Sequence, residues 1–298
     1  MSDWAIDASS LRKAYGGHEA LRGLDLRVPC GSIYGFLGRN GAGKTTTIKL
    51  LMGLLHRDGG EICLWDHALA PHGAPAPETL SRIGFVTEDK DLYPYMTVEQ
   101  VVRFTRSFFP KWRADLERRC FELFELPRRR KIPELSKGMR SKLMLLLAIA
   151  RGAELLILDE PMEGLDPAVA EDVLRELAAL TAGEGMTIFF SSHQIADVEQ
   201  IADHVCIIHQ GRALVTGALD DLKAEYSRLH VVLDREGDVP ATWAAGIEHV
   251  RQEGRVLSIL ARGDVEAAIA QTRSLPVVSL ERFPVSLKEL FLEQVRGN

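Results

Sequence analysis

Residues 38–45 read Gly-Arg-Asn-Gly-Ala-Gly-Lys-Thr, which fits the pattern G-x-x-x-x-G-K-[ST]. An apolar run, Ile33 to Leu37, leads into it and reads as a buried strand. A helix-like run, Thr46 to Leu55, leaves it. A strand, a glycine-rich loop and a helix in that order make a phosphate-binding loop, and they commit the chain to an α/β fold. The glycines let the backbone curl so that successive N–H groups point at one anion. The helix start adds its unpaired N–H groups and the positive end of its dipole. On this reading Lys44 reaches the β- and γ-phosphates of a nucleotide, and Thr45 holds Mg²⁺ through its hydroxyl.

A second element of the same kind lies far downstream. Leu155-Leu156-Ile157-Leu158-Asp159-Glu160-Pro161 is a continuous apolar strand ending in two carboxylates. Buried parallel strands have this composition, and ligands of open α/β sheets sit at their carboxyl ends. Asp159 there would support Mg²⁺, and Glu160 could polarise an attacking water. Between the two elements, Ser136 and Gly138 precede a long helical pattern, a further helix start suited to an anion.

The order of these segments resembles the nucleotide-binding subunit of ATP-binding-cassette (ABC) transporters, over roughly Trp4 to Lys223. The resemblance places Gly38, Asn40, Gly41, Ala42, Gly43, Lys44, Thr45 and Thr46 in the Walker A loop. It places Tyr15 where an aromatic ring stacks on adenine, and Glu88 at the Q-loop as a metal ligand. Leu135 to Met139 matches the signature, Leu155 to Glu160 matches Walker B, and Gly164-Leu165-Asp166 matches the D-loop. His193, after Ser191-Ser192, matches the switch histidine, which would hydrogen-bond the γ-phosphate. The chain departs from the family pattern in two places. Glu88 stands where Gln is usual, and the signature reads L-S-K-G-M rather than L-S-G-G-Q, so Lys137 adds a charge and Met139 gives up an amide. That form is similar to bacterial single-cassette subunits of the ABC-2 exporter type.

The resemblance implies a P-loop NTPase core with an antiparallel β subdomain and a helical subdomain, the latter at about 97–151. It implies ATP and Mg²⁺ as ligands, Glu160 and His193 as catalytic residues, and a head-to-tail dimer of two copies. In that dimer Ser136 and Gly138 of one chain would close over the nucleotide of the other. Separate membrane-spanning permease subunits would hold the protein on the inner, cytoplasmic face of the membrane, with export as the direction.

Composition bounds the alternatives. The chain has 298 residues, 46% hydrophobic and 26% charged, in the range of an ordinary globular protein. A net charge of −6 argues against nucleic-acid binding through bulk electrostatics. The longest strongly apolar stretch, Leu143 to Ala150, is too short to span a bilayer, and no basic-then-apolar leader opens the chain. Cys30, Cys63, Cys120 and Cys206 are scattered without a C-x-x-C pair, the pattern of reduced thiols. A soluble cassette ATPase acting on ribosomes or DNA is the competing reading. One cassette and the lack of a heptad run weigh against it.

Thr97 to Arg151 reads as three helices, 97–108, 113–126 and 138–151, the first with a capping box of Thr97 and Gln100. Tyr93, Tyr95 and Met96 lie beside the Q-loop as a candidate contact for a permease. Arg128-Arg129-Arg130-Lys131 reads as a solvated loop. His67 to Pro77, with three prolines and a glycine, reads as a loop. Beyond Lys223 the resemblance fades, and residues 224–298 read as a small α+β appendage to a domain of residues 1–223.

Overall fold

The chain opens with a hairpin folded on a Gly-Gly turn. Strands β1 (Trp4–Tyr15) and β2 (His18–Pro29) pair antiparallel, with Tyr15 opposite His18. Gly16 and Gly17 between them have φ of +52° and +92°, the left-handed values that a two-residue hairpin turn demands. The structure, a computed structural model, describes residues 2–87, 92–236, 240, 242–243 and 245–296.

The apolar run after the hairpin is β3 (Ile33–Leu37), buried at every position, and the phosphate loop leads from it into α1 (Lys44–Leu51). The helix therefore starts two residues earlier than the apolar pattern suggests, because Lys44 and Thr45 form its first turn. Next come β4 (Gly59–Leu64), β5 (His67–Ala68), α2 (Pro77–Ser81) and β6 (Ile83–Val86). The stretch read as a loop thus carries a two-residue strand at its start, and its last proline opens α2. Strands β2-β1-β4-β5 form an antiparallel sheet.

Three helices follow: α3 (Val98–Arg106), α4 (Ala114–Phe124) and α5 (Lys137–Ala150). The capping box is formed. The Thr97 N–H donates to Gln100 Oε1 at 2.8 Å, and the Gln100 N–H donates to Thr97 Oγ1 at 3.3 Å. The chain then returns to the sheet through β7 (Leu155–Leu158), α6 (Pro167–Glu184), β8 (Thr187–Ser192), α7 (Ile195–Ile201), β9 (His204–His209) and β10 (Arg212–Ala218). The order is β10-β9-β3-β8-β7-β6, and the pairs from β9 through β6 are parallel. Parallel strands covered on both faces cannot alternate polar and apolar residues, which is why β7 and β8 are wholly buried.

One core joins the two sheets. Ile6, Leu24 and Leu26 of the antiparallel sheet meet Phe36, Ile157 and Phe189 of the parallel one, with Ile48 and Leu51 of α1 among them. Burying each such side chain contributes about 1.5–3 kcal/mol. The helical segment is tied to α6 by two ion pairs. Arg113 reaches Glu184 at 2.6 Å and Arg119 reaches Glu176 at 2.8 Å.

The Glu176 side chain is only 4% exposed, and its Oε1 has no hydrogen-bond partner among the described residues. Burial pushes its carboxyl above the ordinary value near 4.5, while Arg119 pulls the other way. Arg119→Ala is expected to cost about 1–3 kcal/mol at neutral pH, because it strands a buried carboxylate. The folded-state pKa is raised, so folding must either take up a proton or keep the charge buried. The deficit should therefore shrink as pH falls through the raised folded value toward the unfolded one, below which both states are protonated. Denaturant melts of variant and parent at pH 7 and pH 4.5 measure it.

The fold divides into two units, Met1–Thr216 and Gly217–Asn298. The division falls seven residues before 223, so α8 (Leu219–Glu225) belongs to the second unit. That unit continues with β11 (Tyr226–Leu233), β12 (Ile247–Glu253), β13 (Val256–Arg262), α9 (Val265–Thr272), β14 (Val277–Pro284) and α10 (Leu287–Arg296). Its antiparallel sheet has the order β12-β13-β11-β14 and buries Leu229, Val231, Leu257 and Ile259 with Val265 and Ala268 of α9. Among the described residues no helix is long and apolar enough to cross a membrane.

Candidate nucleotide site

The phosphate loop is shaped by contacts that leave no room for side chains at two of its glycines. A Cβ on Gly38 would lie 2.7 Å from the Ile208 carbonyl oxygen. Gly43, at φ +112°, would place one 2.8 Å from the Ala20 carbonyl oxygen. The loop is thus wedged between β9 and the hairpin. Gly43 caps α1 without a side-chain acceptor, and the first turn holds no acidic residue. The leading N–H groups of the helix are spent on neither, which suits an anion.

Lys44 crosses back over the loop. Its Nζ, in a side chain only 6% exposed, donates to the Gly38 carbonyl at 2.8 Å and the Arg39 carbonyl at 3.3 Å. It also lies 3.1 Å from Glu160 Oε1. The other carboxylate oxygen of Glu160 is 2.9 Å from His193 Nδ1. Glu160 sits at φ +47°, a strained value for a residue with a side chain, and its N–H donates to Ser191 Oγ at 2.9 Å.

Asp159 is buried at the end of β7. Ser191 Oγ donates to its Oδ1 at 2.6 Å, and Thr45 hydrogen-bonds to it as well. Burial raises the Asp159 pKa. The bonds from Ser191 and Thr45 oppose the rise, Glu160 adds to it, and Lys44 opposes it. One hydroxyl and one carboxylate, already in contact, are the hard oxygen donors that Mg²⁺ takes.

These residues surround a cleft of about 640 Å³, a size common for small-ligand sites. Of the residues expected at the site, Tyr15, Asn40, Gly41, Gly43, Lys44, Thr45, Thr46, Glu160 and His193 line it. Gly38 and Ala42 hold the loop from behind, Ala42 being packed into the core. Asp159 lies beneath, in contact with Thr45. Ser136 and Gly138 do not line the cleft. Ser136 caps α5, accepting from the Met139 N–H at 3.2 Å, and Gly138 packs on the Gly164 carbonyl. Glu88 lies outside the described residues.

Ala20 lines the cleft without having been expected there, and three polar residues at or beside it also escaped the sequence reading. His18 faces it from across the Gly-Gly turn, Glu163 lines it, and Ser191 holds both Asp159 and Glu160. The hairpin signal at Gly16-Gly17 was sufficient to pair His18 with Tyr15. A larger groove of about 800 Å³ opens at the amino ends of β6, β7 and β8. Its Arg82, Lys111 and Arg113 are engaged by Glu154 and Glu184, and it holds none of the phosphate-loop residues.

A phosphate loop at the carboxyl end of a parallel sheet, facing two carboxylates and a histidine, defines a P-loop nucleoside triphosphatase. Residues 21–163 match the ABC transporter family. The bacitracin transport ATP-binding protein BcrA of Bacillus licheniformis is 36% identical over 220 residues, which cover 73% of this chain and 71% of that one. The Nod factor export ATP-binding protein I of Burkholderia orbicola (strain AU 1054) is 33% identical over 301 residues, covering 98% and 97%. A dimeric bacterial ABC transporter cassette, MJ0796, has the same fold, with a TM-score of 0.64 at 21% identity over 72% of this chain and 98% of its own. The chain belongs to the ABC transporter family, as an ATP-binding subunit with ATPase activity.

Proposed function

We infer that two copies of this chain pair head to tail around two ATP molecules and thereby power export through separate membrane-spanning permease subunits at the inner face of the membrane. The observation that carries the pairing is the cleft itself. It holds the phosphate loop, Glu160 and His193, but not Ser136 and Gly138, the other helix start suited to a phosphate. A second copy supplies them. The solved MJ0796 cassette is described as dimeric, which supports pairing. Export follows the relative named for Nod factor export, which is similar over nearly the whole chain.

Within each site the Tyr15 ring takes the adenine, and Lys44 and the α1 N–H groups take the phosphates. Thr45 and Asp159, with Glu88, would hold Mg²⁺. Bound there, Mg²⁺ would supply positive charge to the phosphates. Phosphate competes with Glu160 for Lys44, and that competition frees the carboxylate to accept a proton. A water then bonds to the γ-phosphorus, its proton passes to Glu160, and the bond to the β–γ bridging oxygen breaks, releasing ADP and phosphate. His193 keeps Glu160 oriented through the 2.9 Å contact and donates to the γ-phosphate. Because both copies touch the γ-phosphate only when closed, its loss removes the contacts that favour closure.

The permease contact falls on an aromatic ladder beside α3. Tyr95, Tyr93, Phe104 and Phe108 follow one another with ring centroids 5.8, 5.5 and 5.0 Å apart. All four are exposed, an apolar surface of the kind that marks an interface. The pairing is tested by mass in solution with a saturating ATP analogue that cannot be hydrolysed. The mass is expected to double on adding the analogue and Mg²⁺. A single-chain mass at saturation would overturn the head-to-tail reading.

A further inference from the structure

The first turn of α5 and the turn after Glu160 meet through two charges and two glycines. Lys137 Nζ is 2.6 Å from Glu163 Oε1. The lysine stem runs beneath Gly164, where an added Cβ at φ +79° would come within 3.1 Å of Lys137 Cδ. Gly138 completes the contact, since a Cβ there would lie 2.8 Å from the Gly164 carbonyl oxygen. One turn on, Ser141 Oγ donates to the Lys137 carbonyl at 3.1 Å and lies 3.4 Å from the Glu163 carbonyl. Nothing can slide between the two segments without opening this contact.

The charges explain why the pair is made. Lys137 occupies the first position of α5, where the helix dipole is already positive, and the first turn holds no acidic residue of its own. A lysine there is unfavourable unless an anion answers it. Glu163 is that anion, and it belongs to the nucleotide cleft as well, lining it with Lys44, Thr45 and Glu160. Its N–H donates to the Glu160 carbonyl at 3.0 Å, so Glu160 and Glu163 share one tight turn. The side chains are 63% and 34% exposed, so the pair contributes little to folding. Its effect lies in geometry.

We propose that the Lys137–Glu163 ion pair is a positioning device. It sets the signature turn that a chain offers to its mate in register with the chain's own Glu160 turn, so the two nucleotide sites of a pair work together. The proposal rests on the paired reading above. Lys137 and Glu163 are positioning residues, acting through Ser136, Gly138 and Glu160.

The test uses Lys137→Glu, Glu163→Lys, their double swap, and Lys137→Arg. In a Glu160→Gln background, the ATP concentration for half-maximal pairing is read by sedimentation. With Glu160 intact, kcat, KM and the Hill coefficient of ATP hydrolysis are read. Each single reversal is expected to raise the half-maximal ATP concentration and lower kcat by about tenfold, and to bring the Hill coefficient toward one. Lys137→Arg should behave as the parent, and the swap should recover most of the loss. The swap leaves a carboxylate at the signature, so an effect of Lys137 acting directly on the mate's phosphates would not be rescued. Single reversals indistinguishable from the parent, or a swap no better than the worse single, overturn the proposal. A Glu160→Gln parent that never pairs at saturating ATP overturns the paired reading instead.

Discussion

Glu160→Gln is expected to slow ATP hydrolysis by about 10²–10⁴-fold, the usual worth of a general base, while ATP affinity changes by no more than about threefold. The amide has the shape of the carboxylate and retains an oxygen for the 2.9 Å contact with His193. It gives up proton acceptance from water and the ion pair with Lys44. Lys44 is then held by the Gly38 and Arg39 carbonyls alone, which leaves it readier for phosphate. Binding and turnover therefore separate in this variant. Single-turnover hydrolysis and equilibrium nucleotide titration on the same preparation measure the two halves. A rate within tenfold of the parent would take Glu160 out of the reaction, and the search for the base would turn to Glu163, which also lines the cleft.

Lys44→Ala should produce the opposite split. Nucleotide affinity is expected to fall by about 10²-fold or more, because charge-assisted contacts to phosphate are each worth about 1.5–3 kcal/mol. Two further losses follow from where the lysine sits. The loop carbonyls of Gly38 and Arg39 lose their donor, and Glu160, only 11% exposed, keeps His193 but loses its cation. The variant should bind weakly even when ATP is replaced by ADP, since the β-phosphate is touched as well. Titration with a fluorescent ADP analogue settles it, and an unchanged dissociation constant would sink the assignment of Lys44 to the phosphates.

Much of this site could be read in the chain because its demands are local. A loop that must curl around phosphate needs glycine at fixed offsets, and Gly38, Gly41 and Gly43 are spaced accordingly. Strands buried on both faces leave no choice but apolar runs, so β3 and β7 were legible as strands. The Thr97–Gln100 box was readable for the same reason, as both partners lie within one turn. What escaped was set by distance along the chain. Lys137 and Glu163 are 26 residues apart, and no local rule joins them. Arg119 of α4 and Glu176 of α6 meet only in the folded chain, for the same reason. Strand β12 escaped for a different reason. Its sequence, Ile-Glu-His-Val-Arg-Gln-Glu, is mostly polar because it lies at a sheet edge, where neither face is fully covered. Helix α7 is two turns long and carries one fully buried residue, Val198, too little for a helical period to register.

The left-handed backbone at Glu160 sets the needs of catalysis against those of thermal endurance. A side chain at φ +47° costs about 1–2 kcal/mol that glycine would not, and the fold tolerates the cost while Ser191 pins the amide. Glycine at 160 would relieve that cost but would strand the buried Lys44 ammonium without its anion, so selection for heat resistance alone leaves the carboxylate only a narrow margin. Hardened versions worth keeping have to be screened for phosphate release at every round.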